Sequence, residues 1–135
     1  MARFRFPARF ESLDEVRSRV AGQARAAGFS DKGIYAVQLA ADEAASNIIE
    51  HAYAGQPDAW FEMTCDFADD LLVVVFTDRG RSFDFAGVRK PNLQADLSER
   101  KVGGLGIYLM QKLMDEVDYR TTGAENILTL KKRRS

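Results

Sequence analysis

A cluster of glycines runs directly into an amphipathic stretch at residues 102–117, VGGLGIYLMQKLMDEV. Gly103, Gly104 and Gly106 carry no side chain that would block an approaching ligand. The free N–H groups in the first turn of a helix point outward at an anion, and the helix dipole favours negative charge there. The segment therefore predicts a phosphate site, although glycines before a helix can equally serve only to relax a tight turn.

A carboxylate and an amide stand four residues apart in DEAASNIIEHAY, residues 42–53. At this spacing Glu43 and Asn47 share one face of a helix. An amide can donate a neutral oxygen to Mg²⁺, and a carboxylate can accept a proton from an attacking nucleophile. The pair therefore fits phosphoryl transfer, with a solvated polar stripe as the alternative.

An aspartate directly follows an apolar run in TDRGRSFD, residues 77–84. At the end of a strand Asp78 can turn its carboxylate into a pocket and accept a hydrogen bond from an exocyclic amine such as that of adenine. Gly80, two residues on, would leave room for a flat base. The alternative is an ordinary turn at the end of a strand.

Periodicity in the first half of the chain predicts a strand followed by two helices. ARFRFPARFES alternates apolar and basic side chains, and Pro7 makes it an edge strand. Ser12 and Glu15 form a capping box for a helix that runs to Gly28. Ser30 opens a second, alanine-rich helix that extends to about residue 52.

The second half is predicted to contain a hairpin, a lid, a helix and a final pair of strands. Residues 59–67 and 71–77 form the hairpin, whose second strand is continuously apolar and therefore central. Asp78 to Lys101 has no sustained period, which is typical of a functional lid or of a disordered segment. After a helix at 104–115, VDYRTT and NILTLKK form two strands around Gly123, and the terminal KKRRS is predicted to be a solvated tail.

This element order predicts an α/β fold of the α+β type, a two-layer sandwich with helices on one face of a mixed, mostly antiparallel sheet. The 135 residues are of single-domain size. A net charge of −1 does not favour nucleic acid as a partner, and no apolar run approaches the ~20 residues that cross a bilayer. The N-terminus lacks the apolar core of a signal peptide, so we expect a cytoplasmic protein. The lone Cys65 is expected to be a buried apolar residue.

Taken together and in this order, the motifs resemble the N, G1 and G2 boxes and the ATP lid of the GHKL (Bergerat-fold) ATPases. LAADEAASNIIEHAY is similar to the N box, DRGRSFD to the DxGxxFD motif, and GGLGIYLMQKLMDEVDY with NILTLKK to the G2 box and closing strands. The resemblance covers roughly residues 8–133 and is strongest to the anti-sigma-factor serine/threonine kinases of the RsbW and SpoIIAB type. It implies one histidine-kinase-like ATPase domain over residues 1–135.

The resemblance also implies roles for individual residues. Asn47 would bind Mg²⁺ and Glu43 would be the general base, while Asp78, beside Gly80, would bind the adenine amino group. Gly104, Leu105 and Gly106 of the G2 segment would bind the phosphates. The hydroxyl of Thr129 on the closing strand would support the base. From charge and position alone, Arg100 and Lys101 are candidates for the γ-phosphate, with a solvated basic pair as the alternative.

The implied function is that of an anti-sigma factor that is also an ATP-dependent protein serine/threonine kinase. By resemblance its partners would be a sigma factor, a STAS-domain anti-sigma-factor antagonist as substrate, and a second copy of the chain in a homodimer. The alternative is a module that binds nucleotide and regulates by sequestration without significant kinase activity. A GxGxxG dinucleotide site fails because Leu109 replaces the third glycine, and no GxxxxGK[ST] loop is present. His51, the sole histidine, is expected to pack the end of the second helix.

Overall fold

The computed structural model describes residues 1–54, 56, 58–82 and 104–134, with the side chains of residues 104 and 105 excepted. Within these ranges three α-helices, one π-helical segment and five strands alternate in the predicted order. Their bounds are β1 (Ala2–Pro7), α1 (Ser12–Ala26), α2 (Asp31–Asn47), the π segment (Ile48–Ala52), β2 (Trp60–Ala68), β3 (Leu71–Asp78), α3 (Gly104–Leu113), β4 (Glu116–Thr122) and β5 (Glu125–Arg133).

The five described strands form one sheet in the order β1-β2-β3-β5-β4, and every neighbouring pair is antiparallel. β1 lies at an edge and β3 lies in the centre, as the Pro7 position and the apolar run predicted. Along β3 every second side chain is buried, from Leu72 through Val74 and Phe76 to Asp78. This period of two places Asp78 on the same side of the sheet as the apolar core. The predicted two-layer α/β fold is confirmed.

Helix α2 packs against both α1 and α3 and contributes more residues to the described core than either of them. Four of its alanines are completely buried: Ala40, Ala41, Ala44 and Ala45. Small side chains let a helix approach its neighbours closely, because little volume separates the backbones. The alanine-rich sequence therefore fixes where the polar residues of the same helix, Glu43 and Asn47, are held. On β2 the core includes Cys65, and burial raises the pKa of its thiol to about 11.

The two helix starts differ from each other. The Ser30 cap is confirmed, because its hydroxyl oxygen accepts a hydrogen bond of 3.1 Å from the Gly33 N–H. The capping box at Ser12 and Glu15 is wrong. Glu11 occupies the N-cap position with a helical backbone, and the buried Ser12 hydroxyl instead donates to the Pro7 carbonyl at 2.7 Å. The chain is already turning before Ser12, so this hydroxyl is used to hold the end of β1.

The basic C-terminus is not the solvated tail that its composition predicted. Residues 131–133 extend β5, and the Lys132 ammonium donates to the Leu113 carbonyl at the end of α3 at 2.9 Å. Arg134 donates to the Ala27 carbonyl at 3.3 Å, pairs with Asp70 and lies over the Phe67 ring. Cations at helix C-termini are stabilising because the last carbonyls there lack intrahelical partners. Among the described helices none is both long and apolar enough to cross a membrane.

Candidate functional site

The glycine segment and the Glu43–Asn47 pair meet where the first turn of α3 packs on α2. A Cβ atom built on Gly106 would lie 2.8 Å from Glu43 Oε2 and 3.6 Å from Asn47 Nδ2. The first distance is shorter than the contacts that real Cβ atoms make. The Glu43 carboxylate can therefore lie where it does only because Gly106 has no side chain. Two motifs that are some sixty residues apart in the chain thus form one polar site.

Asn47 is a buried amide with an unfilled hydrogen-bonding requirement. Its side chain is 9% exposed, and Nδ2 is the one buried side-chain nitrogen or oxygen without a hydrogen-bond partner in the described part of the chain. A buried polar group without a partner costs roughly 1–3 kcal/mol, which marks it as a place where a ligand would bind. The solvated stripe considered for this pair does not fit a residue that is buried to this extent.

The same amide fits a magnesium ion in chemical terms. The two ends of an asparagine side chain are distinguished only by their hydrogen bonds, so a half-turn presents oxygen where nitrogen now lies. Mg²⁺ binds hard oxygen ligands and takes few of them from protein when a polyphosphate supplies the others. An orphaned amide beside the Glu43 carboxylate and the first turn of α3 is therefore a suitable donor for this ion.

Directly after Asn47 the helix changes its hydrogen-bonding pattern. Ile48–Ala52 forms a π-helical turn, closed by a 3.0 Å bond from the Tyr53 N–H to the Ile48 carbonyl. Such turns are rare and are found preferentially at functional sites. The sequence predicted helix to about residue 52 but gave no sign of the π turn. His51 lies in it, with Nε2 3.7 Å from a Glu50 carboxylate oxygen. Its expected role in capping or packing the end of the helix stays a prediction.

Asp78 ends β3 as a buried carboxylate, 5% exposed. Its Oδ1 accepts hydrogen bonds of 2.9 Å from the Gly80 N–H and of 2.9 Å from Asn126 Nδ2. Burial raises the pKa of Asp78, while these two hydrogen bonds act in the opposite direction by stabilising the ionised form. The bond from the Gly80 N–H is an Asx turn, so Asp78 does form the turn at the end of the strand. The side chain is also buried, and its role as a pocket carboxylate for a base stays a prediction.

Gly80 is required by a close backbone contact with Ala52, which the sequence did not predict. A Cβ at this position would lie 2.3 Å from the carbonyl oxygen of Ala52 and 2.4 Å from its carbonyl carbon. The same carbonyl accepts a 2.7 Å hydrogen bond from the Arg81 N–H. The glycine thus allows the loop after β3 to lie against the backbone of the π segment, and its role in leaving room for a base stays a prediction.

The structure does not bring Thr129 to Asp78. In the register of β3 with β5, Asp78 is opposite Asn126, whereas Thr129 is opposite Val75. Asn126 and Leu128 are on the buried face, and the half-buried Thr129 alternates with them toward the other face. Thr129 is three positions from Asn126, and an odd offset along a strand reverses the face, so the closing-strand partner of Asp78 is Asn126.

Sequence reasoning missed two residues that hold the site. Asn126 is 3% exposed, and its position in the alternating run NILTLKK is the only sequence signal for it, since a polar residue replaces an apolar one there. The Tyr53 hydroxyl donates to the Trp60 carbonyl at 2.7 Å and accepts from the Arg79 N–H at 2.8 Å. Burial raises the pKa of Tyr53, so this hydroxyl stays protonated as a fixed bridge.

Several predicted residues lie wholly or partly outside the described residues. Gly104 begins α3, but the side-chain surroundings of Gly104 and Leu105 are not described. Arg100, Lys101 and most of the predicted lid from Asp78 to Lys101 lie in the range 83–103, outside the described chain, as does Gly103. These residues therefore remain predictions, as does a contact between any of them and a phosphate.

The arrangement has clear relatives among known proteins. The model of the histidine kinase-like ATPase domain family matches residues 6–132. A serine-protein kinase RsbW from Bacillus pumilus is 32% identical over 133 residues, which cover 94% of this chain and 82% of the relative. The RsbW kinases of Listeria innocua and Bacillus velezensis are each 33% identical, over 91% and 94% of this chain and 82% of either relative.

Solved structures agree in fold. The crystal structure of the RsbU and RsbW domains of a Mycobacterium tuberculosis protein has a TM-score of 0.67 at 16% identity, over 99% of this chain and 33% of that one. The Acinetobacter baumannii histidine kinase AdeS has a TM-score of 0.52 at 13% identity, over 100% of this chain and 68% of that one. Family match, curated relatives and fold agree, and the chain belongs to the histidine kinase-like ATPase family, within it to the RsbW serine-protein kinases.

Proposed function

We propose that this chain is an anti-sigma factor and an ATP-dependent serine/threonine kinase that acts on a STAS-domain anti-sigma-factor antagonist. The observation that carries the proposal is the contact of Gly106 with Glu43 and Asn47. It joins a carboxylate, an orphaned amide and the start of a helix, which are the groups that phosphoryl transfer needs. The kinase relatives, which are named serine-protein kinases, support the same reaction.

In this proposal the nucleotide lies along the junction between the two motifs. The buried carboxylate of Asp78 accepts a hydrogen bond from the adenine amino group. The backbone of Gly104, Leu105 and Gly106, at the start of α3, binds the phosphates. The charge of Arg100 and Lys101 favours the γ-phosphate, the most negative part of ATP.

The chemical step follows from the position of Glu43. Its carboxylate accepts the proton of a substrate hydroxyl, the hydroxyl oxygen bonds to the γ-phosphorus, and the bond to the departing ADP oxygen breaks. Asn47 would hold Mg²⁺, which when bound offsets negative charge on the phosphate oxygens. Because Gly106 lets Glu43 lie at the start of α3, the base is within the same site as the bound phosphates.

The protein partners proposed here follow from the family. A sigma factor and the STAS-domain antagonist would compete for the chain, and nucleotide state would change the affinity for each, which is a linkage between sites. We further propose that residues 1–135 act as one ATPase domain in a homodimer, in the cytoplasm where its partners are, without direct contact with nucleic acid or membrane. The relatives' shared name supports the circuit, because they are all RsbW kinases.

The test is transfer of one phosphate to the antagonist. The chain is incubated with Mg·ATP and the purified antagonist, and intact-mass spectrometry follows the gain of a phosphate. Glu43→Gln keeps the shape of the side chain but cannot accept the proton, so we expect ATP binding to persist and transfer to fall by about 10²–10⁴-fold. Transfer at the wild-type rate in Glu43→Gln would remove the general-base assignment. ATP binding without any transfer by the wild-type chain would favour the sequestering module instead.

A further inference from the structure

Asn126 is held in a single orientation by three hydrogen bonds. Both of its N–H groups are used, one by Asp78 Oδ1 at 2.9 Å and one by the Gly80 carbonyl at 2.9 Å. Its own Oδ1 accepts a 3.3 Å hydrogen bond from the Thr121 hydroxyl on β4. Exchanging the two ends of the amide would place oxygen against two acceptors, so this orientation is the only one that the network allows.

The amide therefore has no N–H left for a nucleotide, and its effect must pass through Asp78. Within the described residues both hydrogen bonds to Asp78 end on Oδ1, which leaves Oδ2 as the acceptor for a base. The second N–H of Asn126 holds the Gly80 carbonyl, and the Gly80 N–H is the other donor to Oδ1. One side chain thus fixes both the carboxylate and the turn that follows it.

We infer that Asn126 is a positioning residue that orients Asp78 as an acceptor and favours its ionised form, and that it thereby strengthens the preference of the site for adenine over 6-oxopurine nucleotides. The inference rests on the proposed function, in which Asp78 binds the base.

The group at position 6 of the purine determines which nucleotide an ionised Asp78 prefers. Adenine has an amino group there, which donates to an ionised carboxylate, whereas hypoxanthine and guanine have a carbonyl oxygen, which the carboxylate repels. A protonated Asp78 would have the opposite property, because its hydroxyl group could donate to that carbonyl oxygen. The protonation state of one buried carboxylate therefore decides which purine fits.

Around Asp78, the hydrogen bonds from Asn126 and from the Gly80 N–H oppose the effect of burial on that state. Burial raises the pKa of Asp78, and the hydrogen bond from Asn126 comes first among the interactions that lower it. Tyr53 is neutral, and its hydroxyl is committed to Trp60 and Arg79. Near the same strand ends lie four exposed or half-buried charged groups, two of each sign: Arg5, Glu62, Arg79 and Glu125. In the described chain none of these four is hydrogen-bonded to Asp78.

A pair of substitutions with matched shape tests the inference. Asn126→Thr retains a hydroxyl that can donate to Asp78 Oδ1, and Asn126→Val has the same outline without a donor. Calorimetry measures the dissociation constants of Mg·ATP and Mg·ITP for each variant and for the wild type at pH 6 and pH 8.5. Thermal unfolding of all three proteins records any general loss of structure.

We expect the Val variant to lose about tenfold or more of the ATP-to-ITP affinity ratio at pH 6, because a hydrogen bond to a charged group is removed. Its ATP affinity should recover toward pH 8.5, since raising the pH ionises Asp78 again. The wild type and the Thr variant should lose less of their ATP-to-ITP ratio between pH 8.5 and pH 6 than the Val variant does, because a donor to Asp78 remains. Titration of the nucleotide phosphates is common to all three proteins and cancels in the comparison.

Equal ATP-to-ITP ratios and equal pH dependence in the Thr and Val variants would overturn the inference and leave Asn126 a structural residue. If the Val variant does not fold, Asn126→Ser and Asn126→Ala give the same comparison with smaller side chains. The proposed function is tested separately by Asp78→Asn in the wild-type background. Wild-type ATP affinity in that variant would remove Asp78 from the base site, whatever the Asn126 variants show.

Discussion

Replacing Gly106 with alanine should separate catalysis from stability in this protein. The added Cβ would lie 2.8 Å from Glu43 Oε2, whereas ordinary contacts begin near 3.4 Å, so the carboxylate must retreat by about 0.6 Å. Misplacing a reacting group by about 1 Å costs on the order of 100-fold in rate. We therefore expect the rate of phosphate transfer to the antagonist to fall by about 10- to 100-fold. The dissociation constant of ATP should change less than the rate, because the added Cβ is directed at Glu43 whereas Gly106 is proposed to bind the phosphates through its backbone.

Stability should move the opposite way in the same variant. Alanine is favoured over glycine inside a helix by up to about 1 kcal/mol, which raises Tm by a few degrees in a domain of this size. The matched control is Gly22→Ala in α1, where nothing lies within 4 Å of the added atom. This control should gain similar stability and keep full kinase activity. Full activity in Gly106→Ala would refute the position assigned to Glu43, whereas a loss of ATP affinity as large as the loss of rate would show that the added methyl group disturbs nucleotide binding.

Three further predictions concern the rest of the site and its support. Gly80→Ala should lower the free energy of unfolding by about 1–3 kcal/mol in urea titration, because its Cβ would overlap the Ala52 backbone; an unchanged midpoint would contradict that contact. Asp78→Asn should weaken ATP binding by about 10- to 100-fold in calorimetry, because a charged acceptor for the base is lost. The same substitution should raise Tm at pH 7, because burial raises the pKa of Asp78 and makes its ionised form unfavourable in the folded state. The gain in Tm should shrink as the pH falls toward 4, where the unfolded chain also becomes protonated, and a constant gain would argue against a buried carboxylate. Arg134→Ala should lower the free energy of unfolding by about 1 kcal/mol and leave kinase activity normal, because it removes the hydrogen bond from Arg134 to the Ala27 carbonyl and the contact with the Phe67 ring. An unchanged Tm would show that Arg134 behaves as part of a solvated tail.

The sequence was sufficient for the elements and for most of the motif residues, because these depend on local patterns. The period of two in β3 and the helical period of α2 predicted which segments would be buried, and the fold follows from their order. Asp78 could be singled out because it ends the most apolar strand of the chain. Glu43 and Asn47 share a helix face, which the spacing alone determines.

What the sequence did not predict depends on contacts between distant segments. The partner of Asp78 is set by the register of β3 with β5, and a choice between Asn126 and Thr129 needs the parity of that register. The role of Gly80 requires knowing that Ala52 lies against it, which no local pattern encodes. Ser12 illustrates the same limit, because a turn that begins before it uses its hydroxyl for the Pro7 carbonyl instead of a cap.

The π segment has a consequence for how the two motifs act on one ligand. It begins directly after Asn47 and ends at Ala52, whose carbonyl accepts the Arg81 N–H and whose backbone contacts Gly80. The Asn47 motif and the Asp78 motif are therefore joined through backbone atoms, which cannot rotate away as side chains can. A ligand that contacts both motifs meets groups whose spacing is set before it binds, and preorganisation of this kind lowers the entropy lost on binding. Asn47 and Asp78 are far apart along the chain, but the contacts of Ala52 connect the backbone after Asn47 directly to the loop after Asp78, so the π segment links the proposed metal ligand to the proposed base-binding carboxylate.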